Sequence, residues 1–272
     1  MKFRLLKHSE YSLYCEQLKK FEAQFSYPLG DKKFQIQHGG NNVSYFEFFK
    51  SLGQENVFVL EHKGKLLGAG CSILRKVGNQ RFWYLCDFKL TQSVRGKNRL
   101  SYLLIRNFII FYCRSKNLVV INMSEPKHNF LVKKLNSILF FLKLNVKPMY
   151  FYEWTYNEFK ECVNLSPEAF KNMACYTNYG IKDIIIEGEI MPIIHIVDKD
   201  HASLNLPSHK IMNIDEEYFE ELRNKSIFML ASSCMLKNQR INLKLMRPSY
   251  TGTMVFSNAI DVKELKFSSL EI

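Results

Sequence analysis

The sequence predicts a mixed α/β fold of the α+β kind, and three observations support this. Apolar residues recur at helical spacing in several stretches, the first over residues 9–25. Two strand-like runs surround a Lys63-Gly64 turn, which is a strong β-hairpin signal. Strand-like and helical patterns then alternate toward the C-terminus. Together these patterns predict a sheet flanked by helices.

The N-terminal region is predicted to contain two helices separated by loops. Residues 9–25 place large apolar side chains among Glu, Gln and Lys, which predicts an amphipathic helix. Residues 28–40 combine a proline and several glycines with polar residues, a composition typical of loops. A short aromatic helix is expected from Tyr45 to Leu52, because Gly53 follows directly as a stop signal.

The central region is predicted to hold most of the sheet. Its run from 81 to 90 is rich in aromatic residues, which favour strands. The helix that opens at Leu100 has two apolar stripes, so we expect it to be buried on more than one side. The predicted elements are a hairpin over 57–77, strands over 81–90, 117–124 and 147–156, and helices from 100 and over 129–142.

The pattern loosens near residues 165–167, and we therefore predict two domains, 1–158 and 159–272. The second is expected to be α+β and contains no recognisable motif. Its predicted elements are helices over 167–175 and 215–224 and strands within 181–197, 226–236 and 240–257.

Cysteine usage and the apolar runs indicate the compartment. The seven cysteines form no CxxC pair, so neither a disulfide framework nor a zinc site is expected, and no metal is predicted. Free thiols in apolar runs fit a reducing environment. The N-terminus lacks an apolar signal-peptide core, and no apolar run reaches the ~20 residues that cross a bilayer. A cytoplasmic protein without a membrane span is expected.

The turn within residues 87–100, DFKLTQSVRGKNRL, carries the clearest chemical signal. It joins a predicted strand to the N-terminus of a helix, where unpaired backbone N–H groups and the helix dipole favour an anion. Arg95, Lys97 and Arg99 add positive side chains to the same turn. The spacing predicts a phosphate-binding turn, whereas the alternative is a solvated basic loop.

The order of elements over residues 55–150 resembles the GCN5-related N-acetyltransferase (GNAT) superfamily. The hairpin resembles the family's second and third strands, with Gly68 and Gly70 where Val-Gly is common, and Arg95-Gly96 resembles the start of its (Q/R)-x-x-G-x-(G/A) signature. The resemblance implies a mostly antiparallel sheet, with the coenzyme pyrophosphate on the signature loop and pantetheine along the preceding strand. The implied coenzyme contacts are Phe88, Lys89, Leu90, Arg95, Gly96, Lys97, Asn98, Arg99, Leu100, Ser101 and Asn129.

The sequence departs from the family pattern at three positions. Asn98 stands at a glycine position, which it can fill because Asn tolerates a left-handed backbone. Leu100 stands at the Gly/Ala position, which predicts either a shifted helix start or a lower affinity for the coenzyme. Asn129 matches the family's frequent Asn, but the Tyr seven residues later is Asn136.

The resemblance also suggests catalytic residues. Tyr150, or alternatively Tyr152, could supply the missing phenol that protonates the leaving thiolate. Asp87 is the candidate general base because it precedes the expected pantetheine strand, with Glu125 as a second choice. The alternative for Asp87 is an aspartate in a surface ion pair.

The resemblance implies an acyl-CoA-dependent N-acyltransferase, in the first instance an N-acetyltransferase, acting on an unidentified amine. Acetyl-CoA or another acyl-CoA would be the co-substrate. The net charge of +12 favours an anionic partner, so a non-catalytic GNAT scaffold that binds nucleic acid is the alternative. A long-chain N-acyl amino acid synthase is a second alternative. The C-terminal half would either shape the acceptor site or form a degenerate second copy of the fold.

Overall fold

The structure is a computed structural model. It describes residues 1–29, 32–39, 44–77, 79–95, 112–123, 130–139, 142–177, 181–199, 210–212, 226–233, 236, 244–261, 267–269 and 272. The helices within these residues are α1 (Tyr11–Glu22), α2 (Tyr45–Leu52), α3 (Phe130–Ile138), α4 (Tyr156–Leu165) and α5 (Pro167–Phe170). The strands are β1 (Lys2–Leu5), β2 (Tyr27–Leu29), β3 (Lys32–His38), β4 (Gln54–His62), β5 (Lys65–Val77), β6 (Gln80–Leu90), β7 (Leu118–Asn122), β8 (Leu144–Trp154), β9 (Met173–Thr177), β10 (Lys182–Ile186), β11 (Glu189–Met191), β12 (Ile193–Asp198), β13 (Lys210–Met212), β14 (Ile227–Ser232) and β15 (Tyr250–Ser257).

The chain forms two compact units that are each discontinuous in sequence. Unit 1 consists of 1–25, 44–148 and 252–265, and unit 2 consists of 26–43, 149–251 and 266–272. These units differ from the predicted ranges 1–158 and 159–272. The difference arises because residues 26–43 supply strands to the C-terminal half, while most of β15 pairs in the N-terminal half.

Unit 1 is built on a sheet that contains the strand order β1-β4-β5-β6-β7-β15. Neighbouring strands pair antiparallel except β6 and β7, which are parallel. The predicted β4–β5 hairpin is confirmed, and both turn residues have positive φ, 50° at Lys63 and 75° at Gly64. Glycine adopts this conformation without steric cost, which explains the turn's strength as a signal.

Helices of unit 1 cover its sheet. Leu74, Trp83 and Leu85 pack in one cluster with Leu135 of α3. Helix α2 begins where the Ser44 hydroxyl accepts a hydrogen bond from the N–H of Phe46, at 3.2 Å. Such a cap satisfies an N–H that the helix itself leaves unpaired. The prediction of α2 is confirmed at both ends, since its C-cap is Gly53.

Unit 2 contains two groups of paired strands. The larger has the order β8-β14-β12-β9-β13, and the smaller has the order β11-β10-β3-β2. Helix α4 packs on the larger group, where Trp154 and Phe228 lie in one buried cluster with Phe159 of α4. In the smaller group, Phe34 of β3 and Ile184 of β10 belong to a second apolar cluster with Met229.

The same pairing pattern occurs in both units. In unit 1, β5–β6 is antiparallel, β6–β7 is parallel and β7–β15 is antiparallel. In unit 2, β9–β12 is antiparallel, β12–β14 is parallel and β14–β8 is antiparallel. Strand β12 is therefore the counterpart of β6, and β14 is the counterpart of β7.

Three sequence predictions are corrected. The loop predicted over 28–40 contains β3 and most of β2. Strand β3 pairs with the neighbouring β2 and with β10, which is far away in the sequence, so local composition does not reveal the strand. The helix predicted over 167–175 ends at Phe170, and β9 follows. Helix α4 was not predicted, although Thr155 and Glu158 form a capping box at its start.

Two predicted helices, the one opening at Leu100 and the one over 215–224, lie outside the described residues. Among the residues that the structure describes, no helix is both long enough and apolar enough to traverse a bilayer.

Candidate functional site

A β-bulge interrupts the pairing of β5 and β6 at the residue predicted as general base. Cys86 pairs with Cys71, and Lys89 pairs with Ala69. Two β6 residues therefore stand opposite the single residue Gly70, which is the two-to-one arrangement of a bulge. Asp87 has a φ of 54°, a left-handed conformation that Asp tolerates better than most residues. The bulge turns the Asp87 carboxylate toward the same side as Lys89, where the two groups form an ion pair.

Strands β6 and β7 diverge just before this bulge. Their parallel pairing runs from Trp83–Leu118 to Leu85–Val120. Strand β6 continues to Leu90, while β7 continues along β15 through Asn122. Among the described residues, the last five positions of β6 therefore have no pairing with β7.

Asp87 belongs to a buried network with groups from α1 and α2. Its Oδ2 accepts a hydrogen bond of 2.6 Å from the Tyr45 hydroxyl, and its Oδ1 accepts one from the Lys89 ammonium. The Lys89 Nζ also donates to Glu22 Oε1, at 2.6 Å. Because Lys89 and Glu22 are only 4% and 2% exposed, the ammonium compensates two carboxylates in a poorly hydrated place.

The Tyr45 phenol is held in its neutral form. Burial is the largest cause of its raised pKa, and the negative charges of Asp87 and Glu22 raise the pKa further. A neutral phenol keeps its proton and can donate it in the hydrogen bond to Asp87. Tyr45 therefore fixes the orientation of the Asp87 carboxylate rather than competing with it for a proton.

Two glycines of β5 make room for the end of β6. A Cβ at Gly70 would lie 2.6 Å from the ring of Phe58, whose centroid is 5.1 Å from that of Phe88. A Cβ at Gly68 would lie 2.6 Å from the Leu90 side chain and 3.3 Å from the Lys89 carbonyl oxygen. These are the two glycines of the family resemblance, and they permit the close packing of the bulged segment.

The predicted coenzyme contacts are only partly described. Phe88 packs on Phe58, and the Leu90 carbonyl accepts a hydrogen bond of 2.9 Å from the Nε of Arg95. The Arg95 guanidinium lies 5.9 Å from the centroid of the Phe25 ring. The other predicted contacts lie outside the described residues: Gly96, Lys97, Asn98, Arg99, Leu100, Ser101 and Asn129.

Tyr150, the predicted proton donor, lies on β8 in unit 2. It pairs with Ser232 of β14 and packs against the buried cluster that includes Tyr152. The hydroxyl of Tyr152 accepts a hydrogen bond of 2.9 Å from the N–H of Leu236. Tyr150 and Asp87 thus belong to different units, and the donor role of Tyr150 stays a prediction.

The sequence analysis missed Glu22 and Tyr45. Glu22 follows Leu18 by four residues, so it lies on the apolar face of α1, and a carboxylate at such a position signals a buried partner. Tyr45 is the first residue of α2 after its Ser44 cap. No sequence pattern links these residues to Lys89, because the three are distant along the chain.

In unit 2, the point where β12 and β14 diverge is occupied by the chain itself. Their parallel pairing ends at His195–Met229. The Ser269 hydroxyl donates to the carbonyl oxygen of Met229, at 3.0 Å, and lies 2.9 Å from Nδ1 of His195. His195 is buried, and this hydroxyl bridges the last paired residues of the two strands.

Comparison with solved structures identifies this arrangement. A tandem GNAT protein from the clavulanic acid biosynthesis pathway matches 94% of this chain and 97% of its own, with a TM-score of 0.50 and 8% sequence identity. The chain has the GNAT fold. The match extends over both units, in agreement with their repeated strand pattern, and confirms the predicted fold class with a second GNAT-like half.

Single GNAT proteins match about half of the chain. A GNAT family acetyltransferase from Brucella melitensis, in complex with acetyl-CoA, covers 47% of this chain and 77% of its own, with a TM-score of 0.32 and 11% identity. An aminoglycoside acetyltransferase from an uncultured soil metagenomic sample, in complex with trehalose, covers 50% and 86%, with a TM-score of 0.35 and 14% identity. No protein-family model matches the sequence, and no curated protein matches it.

Proposed function

We propose that this chain is an acyl-CoA-dependent N-acyltransferase, with acetyl as the expected acyl group and an amine as the acceptor. The observation that carries the proposal is the divergence of β6 from β7 after Leu85, directly followed by the bulge at Asp87, within a GNAT fold. In this arrangement, backbone groups of Phe88–Leu90 would bind the extended pantetheine chain beside the Asp87 carboxylate, which Tyr45 and Lys89 hold in one orientation.

The reaction that we propose is direct attack of the amine on the thioester carbonyl. Pantetheine would align with Phe88–Leu90, and a backbone N–H of β6 would stabilise the developing oxyanion. The coenzyme pyrophosphate would bind the turn from Arg95 to Ser101. The new carbon–nitrogen bond forms as the carbonyl electron pair moves onto oxygen. When the carbonyl re-forms, the carbon–sulfur bond breaks, and the departing thiolate takes a proton, for which Tyr150 is the predicted donor, to give free CoA.

Asp87 would accept the proton of the attacking amine. Each carboxylate oxygen has two lone pairs, and the Tyr45 and Lys89 hydrogen bonds use one on each oxygen. Acceptor capacity therefore remains on both oxygens. The two partners hold the carboxylate in one orientation, which places the basic oxygen in a fixed position relative to the end of β6.

The first test concerns coenzyme binding. We expect Arg95→Ala to weaken acetyl-CoA binding roughly 10- to 100-fold, since a charge-assisted contact to phosphate contributes about 1.5–3 kcal/mol. Isothermal titration calorimetry measures this, with Arg81→Ala as the control because Arg81 is an exposed cation near the start of β6, at the other end of the strand from Arg95. Equal affinities of the two variants would remove Arg95 from the site.

The second test concerns Asp87. We expect Asp87→Asn to lower turnover by roughly 10²- to 10⁴-fold, the usual contribution of a general base, while acetyl-CoA binding stays within a factor of about three. Coupled detection of free CoA with a panel of amines measures turnover, and Glu16→Gln on the exposed side of α1 is the matched control. Unchanged turnover in Asp87→Asn would exclude it as the base.

The alternative functions are separated by ligand-dependent thermal unfolding. A ligand at a hundred times its dissociation constant stabilises the protein by about 2.7 kcal/mol, which raises the melting temperature by several degrees. A shift with palmitoyl-CoA but not acetyl-CoA would favour a long-chain acyl donor. A shift only with a DNA duplex, lost at high salt, would favour the nucleic-acid scaffold that the charge of +12 suggests.

A further inference from the structure

Two cysteines face each other across β5 and β6 directly beside the bulge. Cys71 of β5 and Cys86 of β6 are register partners, and both are free thiols. The two side chains are close neighbours, since the Cys86 thiol contributes to the raised pKa of Cys71. Cys86 immediately precedes Asp87 in the chain, so this pair adjoins the buried network with Lys89.

Paired positions of an antiparallel ladder have the separation that a disulfide needs. Directly opposite residues have Cα atoms about 4.5–5.5 Å apart and side chains on the same face. A disulfide accepts Cα separations of about 4.4–6.8 Å. The register of Cys71 and Cys86 is therefore compatible with a disulfide between them.

The two thiols differ in their access to solvent. Cys71 is 1% exposed, whereas Cys86 is half-buried and is the one that a small oxidant can reach. Burial and the neighbouring Cys86 thiol raise the pKa of Cys71, which stays protonated until it reacts. This division of roles, one accessible thiol and one enclosed partner, is typical of a cysteine pair that responds to peroxide.

We propose that Cys71 and Cys86 are a redox modification site and form a reversible intramolecular disulfide when the protein meets a hydroperoxide. The geometry of the pair carries this inference, and it does not depend on the proposed acyl transfer.

The oxidation proceeds in two balanced steps. The Cys86 thiolate attacks one peroxide oxygen, so that the S–O bond forms, the O–O bond breaks, and a sulfenic acid and hydroxide result. Cys71 sulfur then attacks the Cys86 sulfur; the S–S bond forms, the S–O bond breaks, and the departing hydroxide takes the Cys71 proton as water. The two thiols lose two electrons in total, and the peroxide gains them. A dithiol reductant reverses the change.

The test uses the full-length protein and hydrogen peroxide. Tryptic cleavage separates Cys71, in residues 66–75, from Cys86, in residues 82–89. After brief exposure to peroxide and alkylation without reductant, we expect these two peptides to appear joined, with the summed mass less two hydrogens, and dithiothreitol to release them. Cys113→Ser should leave this link intact, because Cys113 is an exposed thiol outside the pair.

The substitution Cys86→Ser should abolish the joined peptide while the Cys71 peptide remains a thiol. A second measurement guards against misfolding of that variant: in the wild-type protein, alkylation of Cys86 before the peroxide treatment should block the link equally. The proposal is wrong if Cys113 is oxidised in the wild-type protein while Cys71 and Cys86 are both recovered as separate alkylated thiols. It is also wrong if Cys86 forms a disulfide with a different cysteine.

Discussion

Units 1 and 2 share one strand pattern but differ at the point where their parallel strands diverge. In unit 1, β6 carries Asp87 and Lys89 just past that point, and both are bound to side chains from helices. In unit 2, the corresponding strand β12 ends its parallel pairing at His195, which contacts the chain's own Ser269. The strand pairing pattern is repeated in the two units, whereas the side chains at the point where the parallel strands separate are different.

This contrast shows that the fold alone does not assign a function. The diverging strands leave backbone groups that need partners. In unit 2, the Met229 carbonyl accepts a hydrogen bond from the Ser269 hydroxyl, so this backbone group is satisfied by the protein itself. In unit 1, the bulge and the network at Asp87 place a carboxylate beside the end of β6 that has diverged from β7. We therefore assign the proposed coenzyme site and the general base to unit 1.

The two units also differ in the surroundings of some of their buried carboxyl groups. Asp87 and Glu22 share the Lys89 ammonium. Glu153 of unit 2 has a buried Oε1 with no hydrogen-bond partner among the described residues, and burial raises its pKa to about 7. Burial, followed by the charge of Glu153, raises the pKa of Tyr250 as well. The Lys89 ammonium compensates the charges of Asp87 and Glu22, whereas the surroundings of Glu153 favour its neutral form.

The chain offers a separate optical reporter for each unit. Its two tryptophans are Trp83 in unit 1 and Trp154 in unit 2, and both are buried. Trp154→Phe leaves Trp83 as the reporter of unit 1, and Trp83→Phe leaves Trp154 as the reporter of unit 2. The predictions below use urea unfolding followed by fluorescence in these two backgrounds.

The largest effect is expected from Lys89→Met. Removing the ammonium leaves Glu22 and Asp87 buried without their cation, which should lower the free energy of unfolding by about 3–5 kcal/mol in the transition that Trp83 reports. The matched control is Lys171→Met, which breaks the exposed ion pair with Glu168 in unit 2. That change should stay within about 1 kcal/mol, as exposed pairs contribute little.

Comparable small changes in the two lysine variants would contradict the view that the network is a buried, mutually dependent unit. A double variant sharpens the comparison. Adding Glu22→Gln to Lys89→Met should recover part of the lost stability, since it removes one of the two unpaired charges. No recovery would mean that the loss comes from packing of the lysine stem instead.

An intermediate effect is expected from Glu153→Gln, and it depends on pH. The folded-state pKa of about 7 exceeds the ordinary 4.5, so the folded protein keeps a proton that the unfolded chain has released between these values. Stability from this group is fully present below about pH 4.5 and is lost as the pH rises toward 7. At about 1.4 kcal/mol per pKa unit, a rise from 4.5 to about 7 makes this loss roughly 3 kcal/mol.

In Glu153→Gln this decline should be absent, and the variant should be more stable than the wild type above pH 7 by the same amount. Unfolding reported by Trp154 at several pH values measures it. Glu161→Gln on the exposed side of α4 is the control and should retain the wild-type decline. An undiminished decline in Glu153→Gln would show that another group of unit 2 titrates.

The smallest effect is expected from Ser269→Ala. The variant loses the hydrogen bonds to the Met229 carbonyl and His195 Nδ1, which should lower the free energy of unfolding reported by Trp154 by about 1–2 kcal/mol. Glu161→Gln, an exposed change in the same unit, should alter it by less than about 0.5 kcal/mol. A null result for Ser269 would mean that water satisfies the Met229 carbonyl equally well.

Local sequence signals predicted unit 1 better than unit 2. The turn glycine at Lys63-Gly64 predicts the hairpin, and Gly53 predicts the end of helix α2. Both predictions are confirmed. Strand β3 and helix α4 were missed, because β3 lies in a stretch whose glycines and polar residues suggest loops and the Thr155 capping box directly follows a strand. Among the site residues, Asp87 was selected from its position before the signature turn, but its partners Glu22 and Tyr45 were not.

By itself, the sequence determined the order of the central strands and helices and the basic turn that begins at Arg95. It also determined the two glycines of β5 that allow β6 to pack closely against it. These follow from periodicity, turn chemistry and charge, which act over a few residues. Only the tertiary structure decided the exchange of β3 and β15 between the halves, the bulge at Asp87 and the burial of Lys89 between two acids. Those features depend on contacts between residues tens of positions apart, where desolvation and pairing, rather than local preference, select the arrangement.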